Sequence, residues 1–273
     1  MHHSDSPSTG AVPAQATGFF HEQPAPKGLN SFFSAIWVHR MTAVGTPPVI
    51  ISPDATIDLQ WVDGTFRVAG PDKVAQTEIL PPGGLIVGFR FQPGAAARWL
   101  GVPASEILGR RVALADLWGR RAQPFSTGAL PAGGLPQLLS SLMQIVGRHA
   151  AAQSTDPEMR IAYDLIDRAL PSGGLVVPRL LRTLHMSERT LRRRVEENFG
   201  YGPKTLERIL RYQRFQKLSR ETGGSMAMLA LDAGYADQAH LIRESRRLTG
   251  LTPFQWQRFR LAHDPQLRSG EPS

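Results

Sequence analysis

Two short runs of this chain combine side chains suited to reading nucleic acid with side chains that bury. In Met186-Ser-Glu-Arg-Thr-Leu-Arg-Arg-Arg-Val-Glu-Glu-Asn-Phe-Gly200, the apolar residues Leu191, Val195 and Phe199 recur every four positions, the spacing of one helix face. At about 100° per residue, Arg189 and Arg193 point away from Leu191, with Arg192 on the flank. A guanidinium is a planar fork that pairs bidentately with phosphate or with the O6/N7 edge of guanine. Fifty residues on, the run Asp237-Gln-Ala-His-Leu-Ile-Arg-Glu-Ser-Arg-Arg-Leu-Thr-Gly250 turns Leu241 and Leu248 inward. Its opposite face carries Ala239, Arg243 and Arg246, with Ile242 beside them. Small and apolar groups suit such a face because the thymine methyl offers an apolar contact in the major groove. Either run alone would equally describe the solvated basic face of an ordinary helix.

Charge placement argues against that bland reading. The chain has 273 residues, 31 basic and 23 acidic. Seventeen of the basic residues but only eight of the acidic ones fall in residues 173–263, so the whole formal excess of +8 belongs to the last third. Arginines outnumber lysines 27 to 4, a ratio that codon usage can explain in part, although it cannot explain the asymmetry. A basic C-terminal region joined to a near-neutral N-terminal one points to a polyanion, nucleic acid before membrane.

Other chemistries fare worse. Without cysteine, thiolate metal sites, disulfides and thiol nucleophiles are excluded. His39, His149, His185, His240 and His263 have no carboxylate or second histidine at ligand spacing, so no metal and no cofactor are expected. Asp54 and Asp58 are spaced for the same side of a strand, but Asp54 lies in a Pro-Asp turn, where it caps rather than catalyses. The glycines of Gly88-Phe-Arg-Phe-Gln-Pro-Gly-Ala lack the lysine of a phosphate loop. The expectation is a non-enzyme. The longest apolar runs, such as Val49-Ile-Ile, fall far short of the roughly 20 residues of a membrane span. With no signal-peptide pattern at Met1-His-His-Ser-Asp, a soluble cytoplasmic protein is expected.

The elements that must position these residues can be read from periodicity. Residues 1–28 are rich in Ser, Pro, Ala and Gln and read as a disordered tail. From residue 29 to 130, period-two alternation in Ile57-Leu59-Trp61, Phe66-Val68 and Leu85-Val87-Phe89-Phe91, punctuated by Pro and Gly turns, predicts a β-rich domain, a small sandwich or barrel with short helices near 95–100 and 104–108. Residues 131–157 read as a helical linker with the stripe Leu138, Leu139, Leu142, Met143 and Val146, a candidate pairing or domain-packing surface. Residues 158–263 are helical throughout, and 264–273 form a polar tail. Within the helical part, Ser187 and Asp237 are placed to cap the two arginine-bearing helices, predicted over 187–199 and 237–249. Gly200 stops the first. A connecting helix over 204–221, about 25 Å long at 1.5 Å per residue, would hold the two roughly one DNA turn (about 34 Å) apart. The fold class is thus α+β: a β-rich N-terminal domain followed by an all-α domain.

Residues 160–259 resemble the DNA-binding domain of the AraC/XylS family of bacterial transcription regulators. The resemblance rests on Met186-Ser-Glu-Arg-Thr-Leu-Arg-Arg-Arg, on Gly200-Tyr-Gly-Pro-Lys-Thr-Leu-Glu-Arg, and above all on Ala233-Gly-Tyr-Ala-Asp-Gln followed by Leu248-Thr-Gly-Leu-Thr-Pro-Phe. It implies two helix-turn-helix units reading adjacent major-groove segments. By position it makes Arg189, Arg192, Arg193, Gln238, Ala239, Ile242 and Arg243 base-reading residues, and Ser187, Lys204 and Arg246 phosphate contacts. Two residues depart from the family pattern. His185 stands where the turn usually has glycine, and left-handed backbone there would be strained. Ser245 stands where a buried phenylalanine is usual, which leaves space unless neighbours fill it.

Ser52-Pro-Asp-Ala-Thr-Ile-Asp-Leu-Gln-Trp resembles a strand of a β-rich domain common before such DNA-binding domains, with Ala55 in place of the usual glycine. In the wider family that domain senses a small molecule or dimerises. Trp37, Trp61, Phe89, Arg90 and Trp99 are the candidate pocket residues here, against the plainer reading of aromatics as core. The expected partners are double-stranded DNA, a small-molecule effector and RNA polymerase, the chain acting as monomer or homodimer. The alternative is a small-molecule-binding protein whose DNA binding is vestigial; an enzyme on a cupin-like barrel would need a His/Glu cluster that this segment lacks.

Overall fold

The computed structural model describes residues 12–13, 18–43, 48–126, 133–170, 176–222 and 224–263. The N-terminal half is built on a six-stranded antiparallel sheet in the order β2-β3-β8-β5-β6-β9. Its strands are β2 (Phe19–Pro24), β3 (Phe33–Arg40), β8 (Leu85–Phe91), β5 (Asp58–Val62), β6 (Thr65–Ala69) and β9 (Arg111–Ala113). A second sheet of three short strands pairs β1 (Val12–Pro13) parallel to β4 (Val49–Ile51), and β4 antiparallel to β7 (Gln76–Glu78).

The period-two pattern sorts the large sheet into two faces. Leu59, Trp61, Phe66, Val68, Val87, Phe89 and Phe91 enter one core with Trp99 of α1 (Ala96–Leu100) and with Trp118 of α2 (Leu114–Trp118). The intervening residues Trp37, Asp58, Gln60, Arg67 and Arg90 line a cleft on the other face. Gly88 is required on this face because the Trp37 indole lies flat over it; a Cβ would sit 2.0 Å from the ring.

Two expected boundaries are corrected. Phe19–Pro24, placed in the tail, is an edge strand paired along its length with β3, and Phe20 packs against Trp37 and His39. Backbone pairing and aromatic contact outweigh the polar composition of that stretch. The helix α3 (Gly134–Ala150), placed in a linker, buries Leu138, Leu142 and Val146 in the core of the sheet. That stripe is therefore an internal packing surface and not one for pairing two chains. Residues 1–11, 14–17 and the tail 264–273 lie outside the described residues.

The C-terminal half is helical: α4 (Pro157–Ala169), α5 (Val176–Leu184), α6 (Glu188–Phe199), α7 (Pro203–Glu221), α8 (Met226–Asp232), α9 (Gln238–Thr249) and α10 (Pro253–His263). Leu180, Leu184, Leu191, Val195, Phe199, Leu206, Ile209, Tyr212, Phe215, Leu229, Leu241 and Leu248 close a second core. The long helix α7 buries residues on most of its circumference because both helix pairs and α4 lean on it. The halves are joined directly: Gln213 donates to the Pro53 carbonyl at 2.5 Å, Gln216 to Ser52 Oγ at 3.1 Å, and Ile50 packs with Trp256.

Candidate nucleic-acid interface

Each arginine-bearing helix is started by its own cap. Ser187 Oγ accepts the Thr190 N–H at 3.2 Å, and Asp237 Oδ1 accepts the His240 N–H at 2.6 Å. Such caps satisfy donors that helix geometry leaves open, at about 1 kcal/mol each. Both helices end on a left-handed glycine, Gly200 (φ 80°) and Gly250 (φ 74°). The turn before α6 does place His185 in left-handed backbone, φ 50°, a strain of about 1–2 kcal/mol that the surrounding packing must hold. Ala55 adopts φ 62° in the corresponding N-terminal turn, beside Asp54, which caps Thr56.

Ser245 is fully buried, and its hydroxyl sits between the Leu251 carbonyl at 2.8 Å and the Tyr212 hydroxyl at 3.3 Å. The site that an aromatic would fill is thus occupied by a hydrogen-bonded group against the buried Tyr212, whose ring in turn packs on Phe215.

With the apolar stripes turned inward, Arg189, Arg192 and Arg193 stand exposed on α6, and Gln238, Ala239, Arg243 and Arg246 on α9, with Ile242 half-buried beside them. Ser187 and Lys204 are exposed as well. Arg192 and Arg193 make pairs one turn along with Glu196 (3.0 Å) and Glu197 (2.7 Å). These pairs are solvated, and such contacts are worth only a few tenths of a kcal/mol, so phosphate or a base edge displaces them cheaply. Among the described residues, Arg189, Arg243 and Arg246 have no carboxylate within 4.0 Å.

Two ion pairs that sequence reasoning passed over lie behind this face. Arg194 turns inward and holds both oxygens of Asp156, at 2.8 and 2.6 Å, together with Glu158. By angle Arg194 stands no nearer the buried stripe than Arg192, so helical spacing alone carries no signal that separates it from its neighbours. Glu244, the one acidic residue within α9, is drawn to Arg208 of α7 at 2.5 Å. The outward face of α9 is left cationic, whereas on α6 the exposed Glu188 and the paired Glu196 and Glu197 offset Arg189, Arg192 and Arg193.

The expected pocket residues divide. Trp61, Phe89 and Trp99 are at most 1% exposed and belong to the core, correcting that assignment: alternation along β5 and β8 points Trp61 and Phe89 away from the cleft, and Trp99 enters the same core from α1. Trp37 and Arg90 do meet, through Asp58, whose two oxygens take the indole N–H at 3.1 Å and the Arg90 Nε at 3.3 Å. Burial pushes the Asp58 carboxyl above the usual range against the pull of Arg90, and the neighbouring carboxylates hold the Arg90 guanidinium charged. The cleft they line has a volume of about 790 Å³ and lies between the sheet and α7, whose Gln213, Gln216 and Lys217 form the opposite wall. Tyr163 of α4 also lines it, its phenol pushed up to about 12 by burial and by Asp167. Among the described residues, no three His, Asp or Glu side chains are grouped to hold a metal, and no helix is long and apolar enough to cross a membrane.

Two capped helices with arginine-bearing outer faces, each following a short helix and joined through α7, define a double helix-turn-helix DNA-binding domain. A family model described as a helix-turn-helix domain matches residues 180–258, and the chain carries this domain in the form found in AraC-type transcription regulators. No curated protein sequence matches the chain. Among solved structures, the C-terminal domain of AraT, a response regulator from Geobacillus stearothermophilus, is similar at 21% identity, covering 38% of this chain and 85% of that one with a TM-score of 0.36. ToxT from Vibrio cholerae O395 is similar at 13% identity, covering 88% of this chain and 97% of that one with a TM-score of 0.44. Another crystal form of Vibrio cholerae ToxT gives 12% identity, 88% and 98% coverage, and a TM-score of 0.45.

Proposed function

We propose that this protein is a transcription regulator that reads two adjacent major-groove segments of duplex DNA, one with α6 and one with α9. The observation that carries the reading is the pairing of a buried stripe with an exposed arginine face on two capped helices at either side of α7. In this reading Arg189, Arg192 and Arg193 face one segment, and Gln238, Ala239, Ile242 and Arg243 face the next. Ser187, Lys204 and Arg246 hold the phosphates. Selection of duplex fragments by the full chain at two salt concentrations tests it. Enrichment of two boxes about one helical turn apart, with affinity falling steeply as salt rises, supports the reading. Retention that is indifferent to sequence and salt contradicts it.

The effector part of the proposal rests on the cleft of about 790 Å³ between the sheet and α7. A molecule seated there touches both halves of the chain and can therefore bias how they sit together. The same cleft favours a second reading, a small-molecule-binding protein with vestigial DNA binding. The salt dependence of DNA retention separates the two.

A further inference from the structure

The loop 70–75, between β6 and β7, touches the C-terminal ends of both recognition helices. At one end, Pro71 packs on Gly200, the cap of α6: a Cβ on Gly200 would lie 2.7 Å from Pro71 Cγ. At the other end, the Ala75 N–H donates to the Leu248 carbonyl at 2.7 Å, satisfying one of the carbonyls that the last turn of α9 leaves open. Only three residues of one loop therefore separate a contact to the first helix-turn-helix unit from a contact to the second.

The loop is itself tied down. Buried Asp72 takes both terminal nitrogens of Arg111, at 3.1 and 2.8 Å. Arg111 also bonds Glu78, which in turn holds Arg67 at 3.0 Å. The Gly109 N–H donates to the Pro71 carbonyl at 2.8 Å, and the Gly70 N–H to the Arg110 carbonyl at 2.9 Å. A bidentate guanidinium–carboxylate pair in a half-buried setting fixes orientation as well as distance.

We propose that loop 70–75 is a specificity-determining brace: it sets the separation and rotation of the two recognition helices, and with them the operator spacing the protein accepts. The inference rests on the two-segment DNA reading. One inserted base pair shifts the second box by about 3.4 Å and turns it by roughly 35°, since about 10 base pairs make a turn of about 34 Å. A braced pair of helices cannot follow that change without losing one box. An unbraced pair follows it by flexing.

The test measures binding of the full chain to duplexes carrying the two boxes it selects, with the spacer lengthened or shortened by one base pair. Two variants are compared with the parent. Asp72→Asn removes the charge that holds Arg111. The other inserts two glycines between Lys73 and Val74, which are both exposed, and so lengthens the brace while leaving every buried group in place. In the parent each spacer change is expected to weaken binding about tenfold or more. In the variants the penalty is expected to fall to about threefold or less, with affinity for a single box unchanged. Spacer penalties equal to the parent's in the folded insertion variant overturn the brace while leaving the DNA reading intact. A parent that prefers no box at all overturns the DNA reading and the brace with it.

Discussion

Gly200 and Gly101 form a natural experiment on how the N-terminal half meets the first recognition helix. Both cap a helix in left-handed backbone, at φ 80° and φ 72°. A Cβ on Gly101 meets nothing within 4 Å, whereas one on Gly200 lies 2.7 Å from Pro71 Cγ and 3.1 Å from the Ala104 carbonyl oxygen. Alanine at either site takes on the same left-handed strain, about 1–2 kcal/mol, and the same change in unfolded-chain entropy. Gly200→Ala must in addition push a rigid proline ring and a backbone carbonyl aside, an overpacking cost of about 1–3 kcal/mol. Urea unfolding of the two variants should therefore differ by about 1–3 kcal/mol, with Gly200→Ala the less stable and the m-values matching. Equal shifts would refute the reasoning, because they would mean that Pro71 and residue 104 do not press on the end of α6 in solution.

Three further outcomes are expected. Ser245→Phe, although it restores the residue usual in this domain type, should destabilise the chain by about 1–3 kcal/mol in denaturant unfolding, because Ser245 is fully buried and bonded to Tyr212 and to the Leu251 carbonyl, which a ring would have to displace; a neutral or stabilising result contradicts that packing. Lys204→Ala should weaken binding evenly across DNA sequences and lower the slope of log affinity against log salt by about one, as the loss of one phosphate contact requires; a change confined to one base position contradicts a phosphate role. All four tyrosines, Tyr163, Tyr201, Tyr212 and Tyr235, are raised above their ordinary value of 10.0 chiefly by burial. Their contribution to stability is complete below pH 10 and is lost progressively above it, as the unfolded chain ionises while the folded tyrosines stay protonated; for Tyr163 the loss is complete once the pH passes about 12. Tyrosinate absorbance should accordingly stay flat through pH 10 and rise only with alkaline unfolding; a tyrosine titrating at 10 in the folded chain contradicts this.

The parts of the fold legible in the sequence were those with a local signal. Leu191-Val195-Phe199 with Ser187 before it and Gly200 after it define α6 without any knowledge of its neighbours. The same holds for Asp237 and Leu241-Leu248 in α9. Alternation in β5, β6 and β8 likewise gave two distinct faces. It could not tell which aromatics would find a cleft, so Trp61, Phe89 and Trp99 were grouped with Trp37 although they point the opposite way. Phe19–Pro24 takes its order from pairing with β3, which begins only after the eight residues 25–32, and its own composition reads as tail. The ion-pair web of Asp72, Glu78, Arg67 and Arg111 spans 44 residues from Arg67 to Arg111, and nothing in its local spacing marks it. Tertiary pairing alone brings it together.

The central claim is that α6 and α9 each read their own segment of one operator. Hydroxyl-radical footprints of the full chain, of Arg193→Ala and of Arg243→Ala on the same selected duplex test it most directly. The account predicts two protected boxes about one helical turn apart for the parent, with protection lost from one box in the first variant and from the other box in the second. Footprints that the two variants leave unchanged, or that both change in the same box, would contradict it.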